Sequence, residues 1–155
     1  MALCVADVLA GVCDRVLIEA PAGAGYEALG LPVAHASAAH LGKGPLAGIV
    51  AGIAAAPEGS RVAFAPCDMP LLDAEVFRVL TREGGSVYAL SPRGPEALVA
   101  VLDRALLAPL LRALEAEKIP RTDAALVAAG ARGVAFTDAA PFANVNTPDD
   151  LTRLE

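Results

Sequence analysis

The chain has 155 residues, of which 55% are hydrophobic and 19% are charged, and its formal net charge is −6. This length predicts a single domain over residues 1–155, and the apolar content excludes intrinsic disorder. The acidic balance argues against a nucleic-acid partner, because neutralising phosphates needs clustered Lys and Arg. The 3 cysteines form no CxxC pair, and no apolar run reaches the roughly 18 residues of a membrane span. We therefore expect a cytoplasmic protein with no membrane partner.

Short apolar runs alternate with longer amphipathic ones, which is typical of βα units and a mostly parallel sheet. The expected helices are 2–12, 45–56, 73–83, 103–117, 122–129 and 148–154. The expected strands are 15–20, 31–36, 61–66, 86–90, 97–102 and 133–137. Pro45 suits the first position of a helix, and Asp73 and Thr147 suit N-caps. The pattern predicts an α/β fold with helices on both faces of the sheet.

A glycine-rich turn, Gly42 to Gly48, leads into the helix that begins near Pro45. Free N–H groups and the positive end of the helix dipole suit a phosphate group or a polar base edge. The turn is not a P-loop, because the Gly-Lys-Ser/Thr ending is absent. Lys43 is the better placed of the two lysines to meet a phosphate. The alternative is a helix start whose glycines serve only close packing.

Asp68 follows the strand 61–66 in the segment Pro66-Cys-Asp-Met-Pro-Leu71. A carboxylate at the end of a strand is well placed to bind a magnesium ion that also touches phosphate oxygens. The alternative is that Asp68 caps the following turn. Cys67 is expected to be a small buried hydrophobic residue rather than a nucleophile, since no basic neighbour lowers the pKa of its thiol.

Asn144 and Asn146 are the two asparagines of the chain and lie two positions apart, on one side of an extended segment. Paired amides offer donors and acceptors to a heterocycle or a phosphate. The alternative is that Asn146 and Thr147 only initiate the last helix. His35 and His40 are expected to be solvated.

Three of these segments together resemble the molybdenum cofactor guanylyltransferases, the MobA-type family. They are Gly44-Pro-Leu-Ala-Gly-Ile49, Pro66-Cys-Asp-Met-Pro-Leu71 and Phe142-Ala-Asn-Val-Asn-Thr-Pro-Asp-Asp-Leu151. Their order and spacing are more specific than any one of them, and the likeness covers nearly the whole chain. The resemblance implies a three-layer, Rossmann-like nucleotidyltransferase fold.

It also implies an activity: joining GMP from GTP to Mo-molybdopterin with Mg²⁺, releasing pyrophosphate. By the resemblance, Asp68 would be the catalytic residue that holds the metal. The nucleotide would meet Lys43, Gly44, Pro45 and Gly48. Asn144 and Asn146 would face the molybdopterin.

The sequence departs from the family pattern at its start and at two internal positions. The first strand, the glycine-rich signature loop and its lysine have no counterpart, and an Asn near 18–20 and a guanine-reading Asp near 34–36 are replaced. Loss of a central strand would leave two open sheet edges or force the neighbouring strands together. Either the chain starts internally, or a divergent relative closes its sheet in another way, for example as a homodimer. The internal replacements favour the second explanation.

Three functional hypotheses therefore stay open. The first is the guanylyltransferase reaction itself. The second is a non-catalytic protein that binds molybdopterin or pairs with an active copy. The third is a nucleotidyltransferase of different base preference.

Overall fold

The computed structural model describes residues 2–145, and the expected last helix with its cap Thr147 lies outside them. The helices are α1 Ala2–Ala10, α2 Pro45–Ala55, α3 Ala74–Glu83, α4 Leu107–Leu114 and α5 Thr122–Ala128. The strands are β1 Ile18–Glu19, β2 Val33–Ala34, β3 Arg61–Phe64, β4 Val87–Ser91, β5 Gly94–Asp103 and β6 Arg132–Ala135. Every expected helix and strand inside the described range is present.

The strands form two separate sheets in this part of the chain. One is the parallel pair β1–β2, and the other has four strands in the order β3-β5-β4-β6. β5 runs antiparallel to both β3 and β4, while β4 and β6 are parallel. The α/β fold is confirmed, but the sheet is mixed rather than mostly parallel. The reason is local: β4 and β5 form a hairpin, with Ser91 opposite Gly94 across a two-residue turn.

Helices cover both faces of the four-stranded sheet, which gives the expected three layers. Ala100 and Leu102 of β5 point to a core shared with α2, α4 and α5. Val99 and Val101, the alternate residues of the same strand, point to a core shared with α3. This alternation is the period of two that places successive side chains on opposite faces of a sheet.

Local sequence explains where the central helices begin. Gly44 precedes α2 with φ of 75°, a backbone conformation that glycine adopts without strain, and Pro45 takes the first helical position. Asp73 caps α3 as expected, since its Oδ1 accepts a 3.1 Å hydrogen bond from the Val76 N–H.

Within residues 2–145, β1 and β3 each lie at an edge of their sheet, as expected if no strand lies between them. No residue of β3 is buried, although four of the five residues of β4 are. β1 is limited to Ile18–Glu19, shorter than the expected strand 15–20, because it pairs on one side only, with β2.

α2 packs against both sheets through a stripe of two glycines one turn apart. The Glu19 carboxylate of β1 lies against Gly48, and the Phe64 ring of β3 lies against Gly52. The close approach that the glycine spacing indicates is therefore made by side chains of the two edge strands.

Candidate active site

A cavity of about 470 Å³ opens beyond the end of β3. It is lined by Lys43, Pro45, Leu46, Pro66, Asp68, Met69, Pro95, Glu96, Ala97, Leu98, Ile119, Pro120, Arg121, Thr122, Asp123 and Asn144. Five separate stretches of chain contribute to it. All three sequence clusters contribute to it, with Lys43, Asp68 and Asn144 as their polar members.

A main-chain hydrogen bond brings the second and third clusters together. The Val145 N–H donates to the Asp68 carbonyl oxygen at 2.7 Å. Val145 is buried, so this bond forms away from water and holds Asn144 at the cavity wall. The side chain of Asp68 takes no part in the bond and stays available to a ligand.

Lys43 brings a positive charge to the cavity that Asp68 also lines. Its Nζ donates a 3.4 Å hydrogen bond to the Leu114 carbonyl at the end of α4, which fixes the position of the ammonium group. A cation at a helix C-terminus also interacts favourably with the helix dipole. An anion entering the cavity would compete with that single long hydrogen bond for the lysine.

The glycines around Lys43 shape the turn but are not wall residues of the described cavity. Gly44 supplies the positive φ before α2, between the lining residues Lys43 and Pro45. Gly48 lies one turn further along α2 and faces Glu19 instead. The packing explanation therefore accounts for Gly48.

Arg121 is a cavity residue that the sequence did not single out. Its Nε and Nη2 donate to the two carboxylate oxygens of Asp123, at 3.1 and 3.4 Å. Arg121 is 82% exposed, so it is a surface residue that also borders the cavity. Its hydrogen bond holds the pKa of Asp123 below the ordinary value of a carboxyl group. Thr122 and Asp123 begin α5 directly after it, and a cation before a helix start is too common a pattern to have marked this position.

Glu96 is the second cavity residue that the sequence did not single out. It lies on β5 opposite Ala89 of β4. The pairing is irregular here: Tyr88 is opposite Ala100, but the next residue, Ala89, is opposite Glu96, so β5 has three extra residues between the two pairs. Bulges of this kind redirect side chains and occur next to active sites. A bulge depends on the pairing of two strands, so the local sequence carries no mark of it.

Two other expectations were wrong. Cys67 is exposed rather than buried, and it does not line the cavity. Partial desolvation and the neighbouring Asp68 raise the pKa of its thiol, so it is a weak nucleophile at neutral pH, as the sequence indicated. His40 is not solvated, because its side chain is only 12% exposed and its Nε2 lies 3.6 Å from a Glu115 oxygen. Asn146 lies outside the described residues.

The polar groups of the cavity suit a magnesium ion that substrate phosphates and water hold, with one carboxylate from the protein. Over residues 2–145, no group of three or more His, Cys, Asp or Glu side chains could hold a metal ion. Magnesium typically uses one or two carboxylates together with substrate phosphates and water, and Asp68 offers one carboxylate.

No helix within residues 2–145 is long and apolar enough to cross a membrane.

The cavity lies beyond a strand end of an open α/β sheet, the place where such folds bind ligands, and both cationic and carboxylate side chains line it. The family model of the MobA-like NTP transferase domain matches residues 1–132. The chain therefore belongs to the MobA-like NTP transferase domain family.

Two of its relatives carry the name Molybdenum cofactor guanylyltransferase. The protein from Rhodobacter capsulatus is 35% identical over 150 residues, which are 95% of this chain and 77% of that protein. The one from Acidiphilium cryptum is 34% identical over 134 residues, which are 84% of this chain and 66% of that protein.

Two solved structures share the fold. A putative protein from Aquifex aeolicus has a TM-score of 0.80 at 20% identity, over 92% of this chain and 77% of its own. The molybdopterin-guanine dinucleotide biosynthesis protein A from Archaeoglobus fulgidus has a TM-score of 0.70 at 24% identity, over 88% and 75%. At these identities the likeness establishes the fold alone.

Proposed function

We propose that this chain, acting as a single domain, transfers GMP from GTP to Mo-molybdopterin and releases pyrophosphate. The observation that carries the proposal is the meeting of Lys43, Asp68 and Asn144 in one cavity. These residues come from three distant segments: Asp68 and Asn144 belong to motifs of the guanylyltransferase pattern, and Lys43 directly precedes the motif that begins at Gly44. The names of the relatives from Rhodobacter capsulatus and Acidiphilium cryptum support the same reaction.

In this reaction a terminal phosphate oxygen of molybdopterin attacks the α-phosphorus of GTP. A new P–O bond forms as the bond to the bridging β-phosphate oxygen breaks, and pyrophosphate leaves with the electron pair. The step needs positioning and charge neutralisation rather than a protein nucleophile. A chain whose site offers no activated thiol is consistent with that requirement.

Asp68 is the residue that would hold Mg²⁺, which supplies charge neutralisation at phosphate oxygens when bound. Lys43 and Arg121 bring two positive charges to the same cavity and would meet the triphosphate. Gly44 and Pro45 set the direction of the turn that carries Lys43, while Gly48 would act through the packing of α2. Asn144, with Asn146, would face the pterin.

A second candidate function is binding of Mo-molybdopterin without transfer. Asn144, on the pterin side, lies in the cavity wall. The family pattern has a nucleotide-binding Asn near 18–20 and a guanine-reading Asp near 34–36, but here these positions carry neither residue and do not line the cavity. This hypothesis predicts a chain that binds the pterin and does not bind GTP. The third hypothesis, a different base preference, predicts stabilisation by another nucleoside triphosphate instead.

We also propose a homodimer formed across the open edge of β3, in the cytoplasm and without nucleic-acid or membrane partners. Support for the dimer comes from the apolar, half-exposed sequence Val62-Ala-Phe-Ala65 at and just beyond this edge. Unpaired N–H and C=O groups on an edge strand are a template for pairing with another chain.

Calorimetric titration of Mg²⁺–GTP into the chain tests the main proposal, with Asp68→Ala as the key variant. The substitution leaves the Asp68 carbonyl, and thus the bond from Val145, in place. We expect micromolar binding that weakens at least tenfold in Asp68→Ala and is unchanged in Asp7→Ala, which removes an exposed carboxylate from α1. Absence of GTP binding by the folded chain, with pterin binding intact, would replace this proposal by the second candidate.

A further inference from the structure

We propose that Glu96 is the residue that recognises the 2-amino-4-oxopyrimidine ring, the heterocycle that guanine and pterin share. This inference rests on the proposed function and assigns to it a specificity-determining side chain. It also answers a question that the sequence leaves open, because the position near 34–36 carries no carboxylate to read guanine.

The strand pairing fixes the backbone of Glu96 before any ligand binds. Glu96 is opposite Ala89 of β4 on one side. On its other side β5 has no partner at this point, because β3 pairs only with residues 100–103 of β5. The cavity occupies the space next to this free part of β5, and Glu96, Ala97 and Leu98 line it in succession. A half-buried carboxylate is thereby presented to a ligand by a rigid element rather than by a loop.

Ser91 fixes the side chain of Glu96. Its hydroxyl donates a 2.8 Å hydrogen bond to Glu96 Oε1. The same Oγ accepts a 3.1 Å hydrogen bond from the Arg93 N–H, and the other acceptor within its reach, the Gly94 carbonyl, is further away at 3.4 Å, so the hydroxyl favours Glu96. A carboxylate oxygen has two lone pairs, so Oε1 retains one acceptor site and Oε2 both of its own.

Elimination among the cavity carboxylates also leads to Glu96. Asp68 is the residue suited to a metal ion, and Asp123 accepts both hydrogen bonds of the Arg121 guanidinium. Within residues 2–145, Glu96 is in no ion pair, so it is the carboxylate still available for neutral N–H donors.

The cavity that Glu96 lines suits a flat heterocycle that carries phosphate groups. Apolar side chains supply the ring contacts, namely Met69, Pro95, Ala97, Leu98 and Ile119. The cations Lys43 and Arg121 line the same cavity. Apolar side chains for ring contacts beside polar groups that fix orientation are the usual composition of a site for a small organic ligand.

The chemistry of the ring explains why a carboxylate selects it. In a 2-amino-4-oxopyrimidine, the ring N–H and the exocyclic amino group are adjacent donors, which the two oxygens of one carboxylate accept together. Adenine presents a ring acceptor beside its amino group, which a carboxylate repels. A site built for such a donor pair rejects analogues that lack one donor, because its own polar group is then left unpaired.

Glu96→Gln provides the test, because it keeps the size of the side chain but replaces one acceptor by an NH₂ donor. The ring can belong to guanine or to pterin, and two pairs of ligands distinguish these possibilities. GTP against ITP, which lacks the 2-amino group, probes guanine; pterin against lumazine, which has an oxo group there, probes the pterin. Affinities are measured by calorimetry for the nucleotides and by fluorescence for the pteridines.

In the unaltered chain we expect one pair to be discriminated by roughly tenfold to a hundredfold in favour of the amino compound. In Glu96→Gln that preference is expected to disappear, whereas in Glu58→Gln, the same change at an exposed turn outside the cavity, it persists. Ser91→Ala is expected to weaken the preference without removing it. The pair that loses its discrimination identifies the ring that Glu96 binds.

Retention of the preference in Glu96→Gln would overturn this inference and leave the proposed function intact. If Glu96 governs pterin or guanine binding but no GMP is transferred, the inference stands and the transfer reaction is wrong. A folded chain that binds none of the four ligands contradicts both.

Discussion

The Val145 N–H and the Asp68 carbonyl join two segments that are far apart in the sequence, through a 2.7 Å hydrogen bond. Because the bond uses main-chain atoms, the juxtaposition of Asp68 and Asn144 does not depend on either side chain. It follows that side-chain substitutions at both positions can test ligand binding without dismantling the site.

Substitution of Val145 by proline removes the N–H donor and is expected to separate Asn144 from the Asp68 loop. We expect the free energy of unfolding to fall by about 1–3 kcal/mol, since the Asp68 carbonyl loses its partner and a proline ring takes the place of a buried side chain. Val145→Ala removes buried side-chain surface but keeps the N–H. Both variants should be less stable in urea denaturation, but only Val145→Pro should also weaken pterin binding; equal binding by the two would contradict this role of the hydrogen bond.

Asn144→Ala is expected to weaken pterin binding at least tenfold and to leave the affinity for Mg²⁺–GTP within twofold. The amide side chain borders the cavity, and its loss removes up to three hydrogen-bonding groups from the pterin side. Fluorescence titration with pterin and calorimetry with GTP give the two affinities. An equal loss for both ligands would mean that Asn144 acts on the shape of the site rather than on the pterin.

Alanine at the two α2 glycines is expected to have opposite effects on stability. A Cβ at Gly52 would lie 2.7 Å from Phe64 Cε1, in a packed position, so Gly52→Ala should cost about 1–3 kcal/mol. A Cβ at Gly48 would lie 2.8 Å from Glu19 Oε2, the end of a flexible exposed side chain that can move away. Gly48→Ala should then be neutral or stabilising by up to about 1 kcal/mol, since Ala favours the helix.

Urea denaturation of the two glycine variants measures these changes. Phe64→Leu should recover part of the loss in Gly52→Ala, because the smaller side chain makes room for the new methyl group, and a double-mutant cycle quantifies this coupling. Destabilisation by Gly48→Ala as large as that by Gly52→Ala would show that Glu19 is held firmly in place.

The Arg121–Asp123 pair predicts a pH effect confined to acid. A carboxyl whose pKa is lowered in the folded state contributes stability above its unfolded pKa of about 3.9, and that contribution is lost as pH falls through the folded value. In Arg121→Ala the pKa of Asp123 should rise toward the ordinary value, whereas Arg112→Ala, at an exposed position of α4, should leave it unchanged. NMR titration of the carboxyl carbon measures both; an Asp123 that titrates alike in all three proteins would contradict the pairing.

The open edge of β3 predicts concentration-dependent association. Sedimentation equilibrium should show a dimer, and hydrogen exchange should show protection of Val62 to Phe64 that increases with concentration. Leu41→Ser and Val127→Ser, at the most exposed large hydrophobic side chains of the described chain, should not affect the dimer. A monomer at every concentration, with fast exchange along β3, would rule the dimer out.

Sequence patterns were sufficient for the features that depend on neighbouring residues. Pro45 and Asp73 marked the starts of α2 and α3, and strand and helix alternation gave the fold class. The extent of β1 could not be predicted, because a strand is as long as its partner allows. Glu96 lies next to an irregularity in the pairing of β4 and β5, and Arg121 reaches the cavity through tertiary packing, so local sequence marks neither position.

The division of the strands into two sheets also separates the least stable strand pair, β1–β2, from the residues that line the cavity. The parallel pair β1–β2 has two residues in each strand and rests on α2, so its backbone bonds are among the easiest to break by local fluctuation. No residue of the stretch 18–34 lines the described cavity. Local opening of this corner would therefore displace no residue that lines the cavity.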